Sequence, residues 1–456
     1  MTSSKVMTPV LQGSYHGYQQ AHPAKVDDEI ARIGPATPAG EYLRCFWHPV
    51  FIANELGDLP KSVKILGEEL VLFRFGSGKL GLVHKYCPHR RASLEYGRTE
   101  DRGIRCCYHG WLFAPDGEIL ETPGEAPDAK AAQSVREKTR LGAYPVIEFN
   151  GLIFAFMGQP DNMPEFPIYD TFEIEGMTMR PYRAPYKCNW VQVLDAIMDP
   201  VHTTFLHSQN SHPQFSEGMA QIGELKFYER NENHFLGSST RRVGDHAWVR
   251  LNELILPTFT QAGSAFAADG TRQRYFGRSA FTRWVVPVDD ENSVAFAWAN
   301  FGERGDPHQY NTKEGCELIE QGEVLDRSAE EKQRYPADSE AVEGMGAIST
   351  HRGEHLMPTD RGISLYRRRI RQQIRELAKG KQPPQPVKPE GRSVRTYGQD
   401  TVLDLPPRPG EDDRVNLMKI GSAVVDLQFD YEGLANEARD EAIIEKLKEL
   451  EANGIA

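Results

Sequence analysis

Two stretches carry thiols and imidazoles at ligand spacing: Cys87-Pro88-His89-Arg90 and, after sixteen residues beyond His89, Cys106-Cys107-Tyr108-His109-Gly110-Trp111. Two thiolates and two imidazoles can hold one tetrahedral zinc, since Cys2His2 is a common structural set. A zinc finger, however, keeps its cysteines together and its histidines together, whereas here each stretch donates one of each. That interleaving suits a binuclear iron–sulfur cluster better, with Cys87 and Cys106 on one iron and His89 and His109 on the other. Neutral imidazole in place of anionic thiolate raises the reduction potential of such a cluster above that of an all-thiolate one.

The segment closely resembles the Rieske motif, down to the C-P-H-R opening and the H-G-W that follows the second cysteine. It departs from the family at Cys107, where proline is usual. Cys106 has the C-x-x-H spacing and is taken as the ligand, which leaves Cys107 as a small filler. His84 fits neither ligand spacing and reads as an ordinary strand residue.

A second segment, running from Asn189-Trp190 through Asp195 and Asp199-Pro200-Val201-His202 to His207, resembles the D-x-x-H-x4-H signature of the mononuclear iron site in Rieske non-haem iron oxygenases. His202 and His207 are five apart, roughly 140° on an ideal α-helix, so an undistorted helix would not aim both at one ion. A π-type bulge or a helix end is required, and Pro200 already makes the local geometry irregular. By the resemblance, Asp338 in YPADSEAVEGMG supplies the carboxylate of a two-histidine, one-carboxylate triad that leaves ferrous iron open to dioxygen. Glu340 and Glu343 are its rivals. The resemblance also gives Asp199 the role of linking a cluster histidine of one subunit, His109, to an iron histidine of the next, His202. Asp195, one helical turn earlier, either supports that bridge or serves as a solvated or capping group.

Other motifs carry less. Gly76-Ser77-Gly78-Lys79-Leu80-Gly81 matches G-x-G-x-x-G literally, but another strand pattern follows where a dinucleotide fold needs a helix, so a hairpin turn is expected. NAD(P)H is therefore used only indirectly, through a partner. His351 and His355 have i, i+4 spacing, yet HRGEH is not the H-E-x-x-H metalloprotease motif and reads as a structural pair or as part of a polar surface. Arg367-Arg368-Arg369-Ile370-Arg371 reads as a solvated or inter-subunit helix face, with a docking patch for an acidic electron donor as its sharper reading.

These residues must be positioned by elements legible in the pattern. Residues 62–85 alternate β-formers around a Gly-rich centre, and similar short strands recur near Leu112-Phe113 and within 146–157. An all-β cluster domain over 41–157 follows. Beyond the Pro-bearing stretch 159–167 come a helix near 189–207, strands such as 246–256, a hairpin joined by Asp289-Asp290-Glu291-Asn292, and mostly helical residues from 338 to 380. The fold class is α+β. For the catalytic domain, 158–380, the resemblance implies a helix-grip (START-like) arrangement in which helices close over a curved antiparallel sheet. Residues 1–40 are expected to pack on it. The stretch 381–410, with seven prolines, reads as an extended connector, and a final helix near 431–452 places Leu434, Ala438, Ala442 and Leu447 near one face.

Composition narrows the function classes. With 53 basic against 65 acidic side chains the net charge is −12, which argues against a general nucleic-acid binder. No long apolar run predicts a membrane span, and the N-terminus lacks the pattern of a secretory signal, so a cytoplasmic protein is expected. Six cysteines, Cys45, Cys87, Cys106, Cys107, Cys188 and Cys316, are too few and too irregular for a disulfide framework.

The resemblance covers most of residues 41–380 and implies the terminal oxygenase component of a multicomponent system. A reductase and/or ferredoxin delivers electrons from NAD(P)H to the [2Fe–2S] cluster, and Fe(II) uses dioxygen to dihydroxylate, monohydroxylate or O-demethylate a small aromatic compound. Subunits form a head-to-tail homotrimer or a multiple of it. The pattern P-x-D-S-E-A-V-E-G-M-G, followed by H-R-G-E-H-L-x-P-T-D-R-G, looks like the phthalate-dioxygenase-type branch, whose substrates are often carboxylated. The alternatives are a Rieske electron-transfer protein without oxygenase chemistry and a zinc-stabilised binding protein. A carboxylate-binding arginine could be any of Arg241, Arg242, Arg250 and Arg283.

Overall fold

The computed structural model describes residues 25–76, 78–126, 128–209, 217–263, 275–304, 327–388 and 393–455. Cys316 and residues 1–24 lie outside the described residues.

Three small antiparallel sheets carry the cluster motif. One pairs Trp47–Ile52, Leu152–Phe156 and Val146–Phe149; a second runs Lys61–Ile65, Glu68–Phe75, Lys79–His84 and Ala143–Tyr144; the third runs Arg98–Glu100, Gly103–Arg105, Leu112–Phe113 and Ile119–Glu121. The Gly-rich stretch at 76–81 joins two antiparallel strands, with Phe75 opposite Lys79, so it is a hairpin and not a phosphate-binding turn. Gly76 and Gly78 have φ of 51° and 96°, which glycine adopts without strain.

The largest sheet is antiparallel along the order Thr178–Tyr186, Ser293–Phe301, Phe281–Pro287, Phe259–Ala262, His246–Ile255, His234–Val243 and Glu224–Asn231. Strand period two separates its faces. Trp284 and Trp298 point to one side, where Phe154 lies 5.4 Å from Trp284 between ring centroids and Trp298 Nε1 donates to Asn150 O at 2.8 Å, docking the sheet on the cluster domain. The opposite face receives the helix Trp190–Ile197, through Asn252 Nδ2 to Ile197 O at 3.2 Å.

The described part of the N-terminal segment clasps this helical layer. Trp190 Nε1 donates to Ile30 O, Asn189 Nδ2 to Ala31 O, and Arg371 to Asp27. The basic stretch is committed within the chain: Arg367 pairs with Asp195 and Glu354, Arg368 and Arg369 with Glu229, and Arg371 with Asp27.

Beyond residue 380 the chain is more than a connector. Gln399–Leu403 adds a strand beside His246–Ile255, and the helices Asp413–Asp430 and Asn436–Asn453 bury Leu417, Ile420, Val424, Ile443 and Leu447 against Ala247, Val249 and Phe276. The buried face of the last helix is Arg439, Asp440, Ile443 and Leu447, whereas Leu434 and Ala438 are exposed. Electrostatics displaces the apolar stripe: Asp170 is enclosed by Arg278, Arg395 and Arg439, and Arg278 also reaches Asp440 at 3.1 Å.

Candidate functional site: two donor clusters and a guanidinium-lined cavity

The two cluster loops share one backbone plan. Arg91 N–H donates to Cys87 O at 2.9 Å and Gly110 N–H to Cys106 O at 3.1 Å. The residue four places after each cysteine is left-handed, with φ of 64° at Arg91 and 73° at Gly110. Glycine takes this conformation freely; Arg91 takes it with its guanidinium 4.8 Å over the Tyr86 ring. Cys87 and Cys106 are buried in a small core with Val71, Phe73, Leu94 and Phe113, while His89 and His109 are exposed. The two rings stand 4.6 Å apart between centroids, and His89 stacks on Trp111. Burial pushes the Cys87 thiol up to about 11, against backbone N–H groups of His89 and Arg90, and neighbouring Cys106 adds to the rise. Paired thiolates in such a place need a multivalent cation between them, and a set with sulfur inside and imidazole outside fits a [2Fe–2S] cluster. Cys107 is exposed beside it.

The second group forms where a helix breaks. Asn189 caps Trp190–Ile197 by accepting from Val191 N–H at 3.2 Å, and Asp199-Pro200 ends that run, because a residue before proline is pushed out of the α region. Asp199 Oδ1 then accepts from Val201 N–H at 2.9 Å and starts the helix Pro200–Thr204, with proline at its first position. That helix continues as a π-helical turn, Phe205–Gln209, whose i→i+5 bonding brings residues five apart towards one face. His202 and His207 meet there, and Asp338, first residue of the helix Asp338–Glu343, completes the group. Asp338 Oδ1 is 3.1 Å from His207 Nε2 and 3.5 Å from His202 Nε2, and one donor atom of each residue lies within 4.8 Å of the others. Burial opposes ionisation of Asp338, yet His207, His202 and Arg283 together hold it at about 2. Two imidazoles and an anionic carboxylate suit a divalent iron with open positions. Of the rivals, Glu340 pairs with Arg327 and accepts from Ala337 N–H, and Glu343 accepts from Lys187 N–H at 2.8 Å.

Asp199 faces His202 in two ways. The ring Nδ1 hydrogen-bonds the Asp199 backbone carbonyl, and carboxylate Oδ2 lies 3.8 Å from the same nitrogen. This arrangement keeps the proton on Nδ1 and directs Nε2 at Asp338. Asp195 does not reach Asp199 by its side chain. It is buried, accepts from Tyr366 Oη, and receives Arg367 Nε at 2.9 Å; Arg367 also holds Glu354. His351 lies against this group, and its donor atoms with those of Asp195 and Glu354 form a second close set, but Arg367 already occupies both carboxylates. His355 is exposed.

Above the His202, His207 and Asp338 group opens a cavity walled by Tyr186, Val193, Ile197, Phe281 and Val342 and carrying Arg250, Asn252 and Arg283. Register puts the polar groups on one sheet face: Asn252 opposes Ala262, Phe281 also opposes Ala262, and Arg283 opposes Thr260. Arg250 and Arg283 are 7% and 6% exposed, so both guanidiniums are desolvated. Arg241 instead binds Gln221 O and Thr203 Oγ1, and Arg242 pairs with Asp413. Alternation of these arginines with apolar residues along their strands was the signal that could have marked an inward polar face.

The Rieske [2Fe-2S] domain family matches residues 42–145. Over 96% of this chain and 97% of the relative, the sequence is 36% identical to the tert-butanol monooxygenase / tert-amyl alcohol desaturase oxygenase subunit of Aquincola tertiaricarbonis. The chain belongs to the Rieske non-haem iron oxygenases, as an oxygenase subunit. This Rieske oxygenase is also 36% identical to the phenoxybenzoate dioxygenase subunit alpha of Ectopseudomonas oleovorans, over 82% of its own length and 91% of that protein. Its fold superposes on dicamba monooxygenase bound to dicamba with a TM-score of 0.55, covering 75% of this oxygenase and 100% of that chain at 19% identity. Among the described residues no helix is long and apolar enough to cross a membrane.

Proposed function

We propose that this oxygenase hydroxylates a small aromatic acid, with Cys87, His89, Cys106 and His109 holding the cluster and His202, His207 and Asp338 holding iron. The observation that carries the substrate class is the pair of desolvated guanidiniums, Arg250 and Arg283, in the cavity that opens on the iron-binding group. A buried guanidinium recognises a carboxylate by charge-assisted hydrogen bonds. The apolar wall of Val193, Ile197, Phe281 and Val342 receives an aromatic ring and excludes water.

When bound, the two metal centres supply reductive activation of dioxygen, using electrons that a reductase and/or ferredoxin takes from NAD(P)H. The chain's own residues do the rest. Asp338 stays anionic between two imidazoles, Asp199 fixes the His202 tautomer, and Arg250 and Arg283 hold the acid so that one ring edge faces the group. The exposed His89 and His109 present the cluster edge outward, which supports a head-to-tail homotrimer in which Asp199 links His202 to the partner subunit's His109. A cytoplasmic location accords with this supply of electrons. By extent, 41–157 is the cluster domain and 158–380 the catalytic domain, with the C-terminal strand and helices completing the latter.

A second reading has its own support. A relative matched along nearly the whole chain is named for a small tertiary alcohol. Substrate-dependent oxygen uptake with aromatic acids, methoxylated aromatic acids and tert-butanol, followed by product identification, separates the two. Uptake and a hydroxylated or O-demethylated product are expected with an acid; uptake with the alcohol alone would reject the acid reading.

A further inference from the structure

The C-terminal strand Gln399–Leu403 delivers a carboxylate beside the cavity, on the sheet face that carries Arg250. Asp400 is the cross-strand partner of Arg250. It is 3% exposed, does not itself line the cavity, and its Oδ1 accepts from Trp248 Nε1–H at 2.7 Å. Its placement depends on Gly263: a Cβ there would come within 2.4 Å of Gln399 O and 2.5 Å of Asp400 Oδ2, so a side chain would push the strand away. Burial lowers the Arg250 pKa and the Asp400 charge works against that fall; the guanidinium stays protonated either way, so Asp400 acts on it as a counter-charge. The same carboxylate acts on Arg241, which burial and then the Arg250 charge push down to about 9. One anionic group thus offsets two buried guanidiniums, one of which lines the cavity.

We infer that Asp400 is a specificity-determining residue of this oxygenase: from beside Arg250 it sets how much net positive charge that residue offers to the ligand. Direct contact with substrate is not required, because a unit charge one strand away in a poorly solvated sheet shifts the preference for an anion over its neutral isostere. The inference rests on the reading of Arg250 as an acid-binding group.

The test compares benzoate with benzamide, near-isosteres that differ in charge, by calorimetric titration of the holoenzyme. Asp400→Asn keeps the acceptor for Trp248 and removes the charge; Asp400→Ser removes it with a different shape. In either variant the benzoate-to-benzamide affinity ratio should rise about tenfold, with the visible spectrum of the cluster unchanged. A ratio equal to or below that of the wild type in a variant with an intact spectrum overturns the inference. Arg250→Gln separates the two levels of the argument. If it lowers the ratio while the Asp400 variants do not raise it, only the inference falls. If it leaves the ratio at the wild-type value, or if the wild type does not bind benzoate, the acid-binding reading fails and the inference with it.

Discussion

Asp338 Oδ1 lies 3.1 Å from His207 Nε2, although one residue opens a short helix and the other sits on a π-helical turn far earlier in the chain. The closeness of a carboxylate to two imidazoles, one buried and one half-buried, gives a first expected outcome. Holoenzyme should carry about three irons and two acid-labile sulfides per chain, and His202→Ala or Asp338→Ala about two of each. Turnover should vanish in both variants while the visible spectrum of the cluster persists. Loss of that spectrum would reject the division of ligands between the two sites.

Asp199 both caps a helix and faces His202, and the two roles separate on substitution. Asparagine caps as well as aspartate, so Asp199→Asn should leave the thermal midpoint nearly unchanged and keep both metals. Coupled turnover should fall by about one to two orders of magnitude, as for other groups that orient a metal-bound histidine. Wild-type turnover in the variant would remove Asp199 from the electron path.

Two buried histidines make stability depend on pH. Burial brings His48 down to about 4, against a hydrogen bond to Leu43 O, and brings His351 down to about 4, with Arg367 adding to the effect. In the unfolded chain both protonate near 6.5. Their contribution is therefore complete above pH 6.5 and lost as pH falls from there towards 4, by about 1 kcal/mol each at pH ~5.5. Thermal midpoints measured from pH 7.5 to 5.5 should decline, and His351→Gln should flatten the decline. An identical slope in that variant would exclude His351 as a contributor.

The C-terminal helices are held by charge as well as by apolar contact. Asp170→Ala leaves Arg278, Arg395 and Arg439 around an empty centre, at a cost of about 3–5 kcal/mol. Denaturant unfolding should register that loss, whereas a change below about 1 kcal/mol would mean that the arginines find other partners.

The cluster loops and the histidine pair are legible in the sequence because their geometry is local. A C-x-H or C-x-x-H loop closes on itself, and Asp199-Pro200 announces a helix break whatever surrounds it. The strand-rich character of residues 41–157 and the α+β class follow from short-range periodicity in the same way, although the helix Lys130–Lys138 interrupts the strands. What the sequence leaves open depends on register and on distant pairing. Asp338 could be told from Glu340 and Glu343 only once Arg327 and Lys187 had claimed the rivals. The four candidate arginines could be sorted only when strand register turned Arg250 and Arg283 inward and sent Arg242 to Asp413. Asp195 looked like an aid to Asp199, and Arg367 takes its carboxylate instead. The proline-bearing C-terminal stretch hides a strand, because pairing with His246–Ile255 makes Gln399–Leu403 extended and buried, and no pattern within those five residues announces it. Sequence by itself determined the donor types of the two proposed metal sites, since ligand type and spacing are short-range properties. Tertiary structure decided which carboxylate and which guanidiniums stand beside them, since a one-residue slip in strand pairing would turn every one of those side chains to the other face.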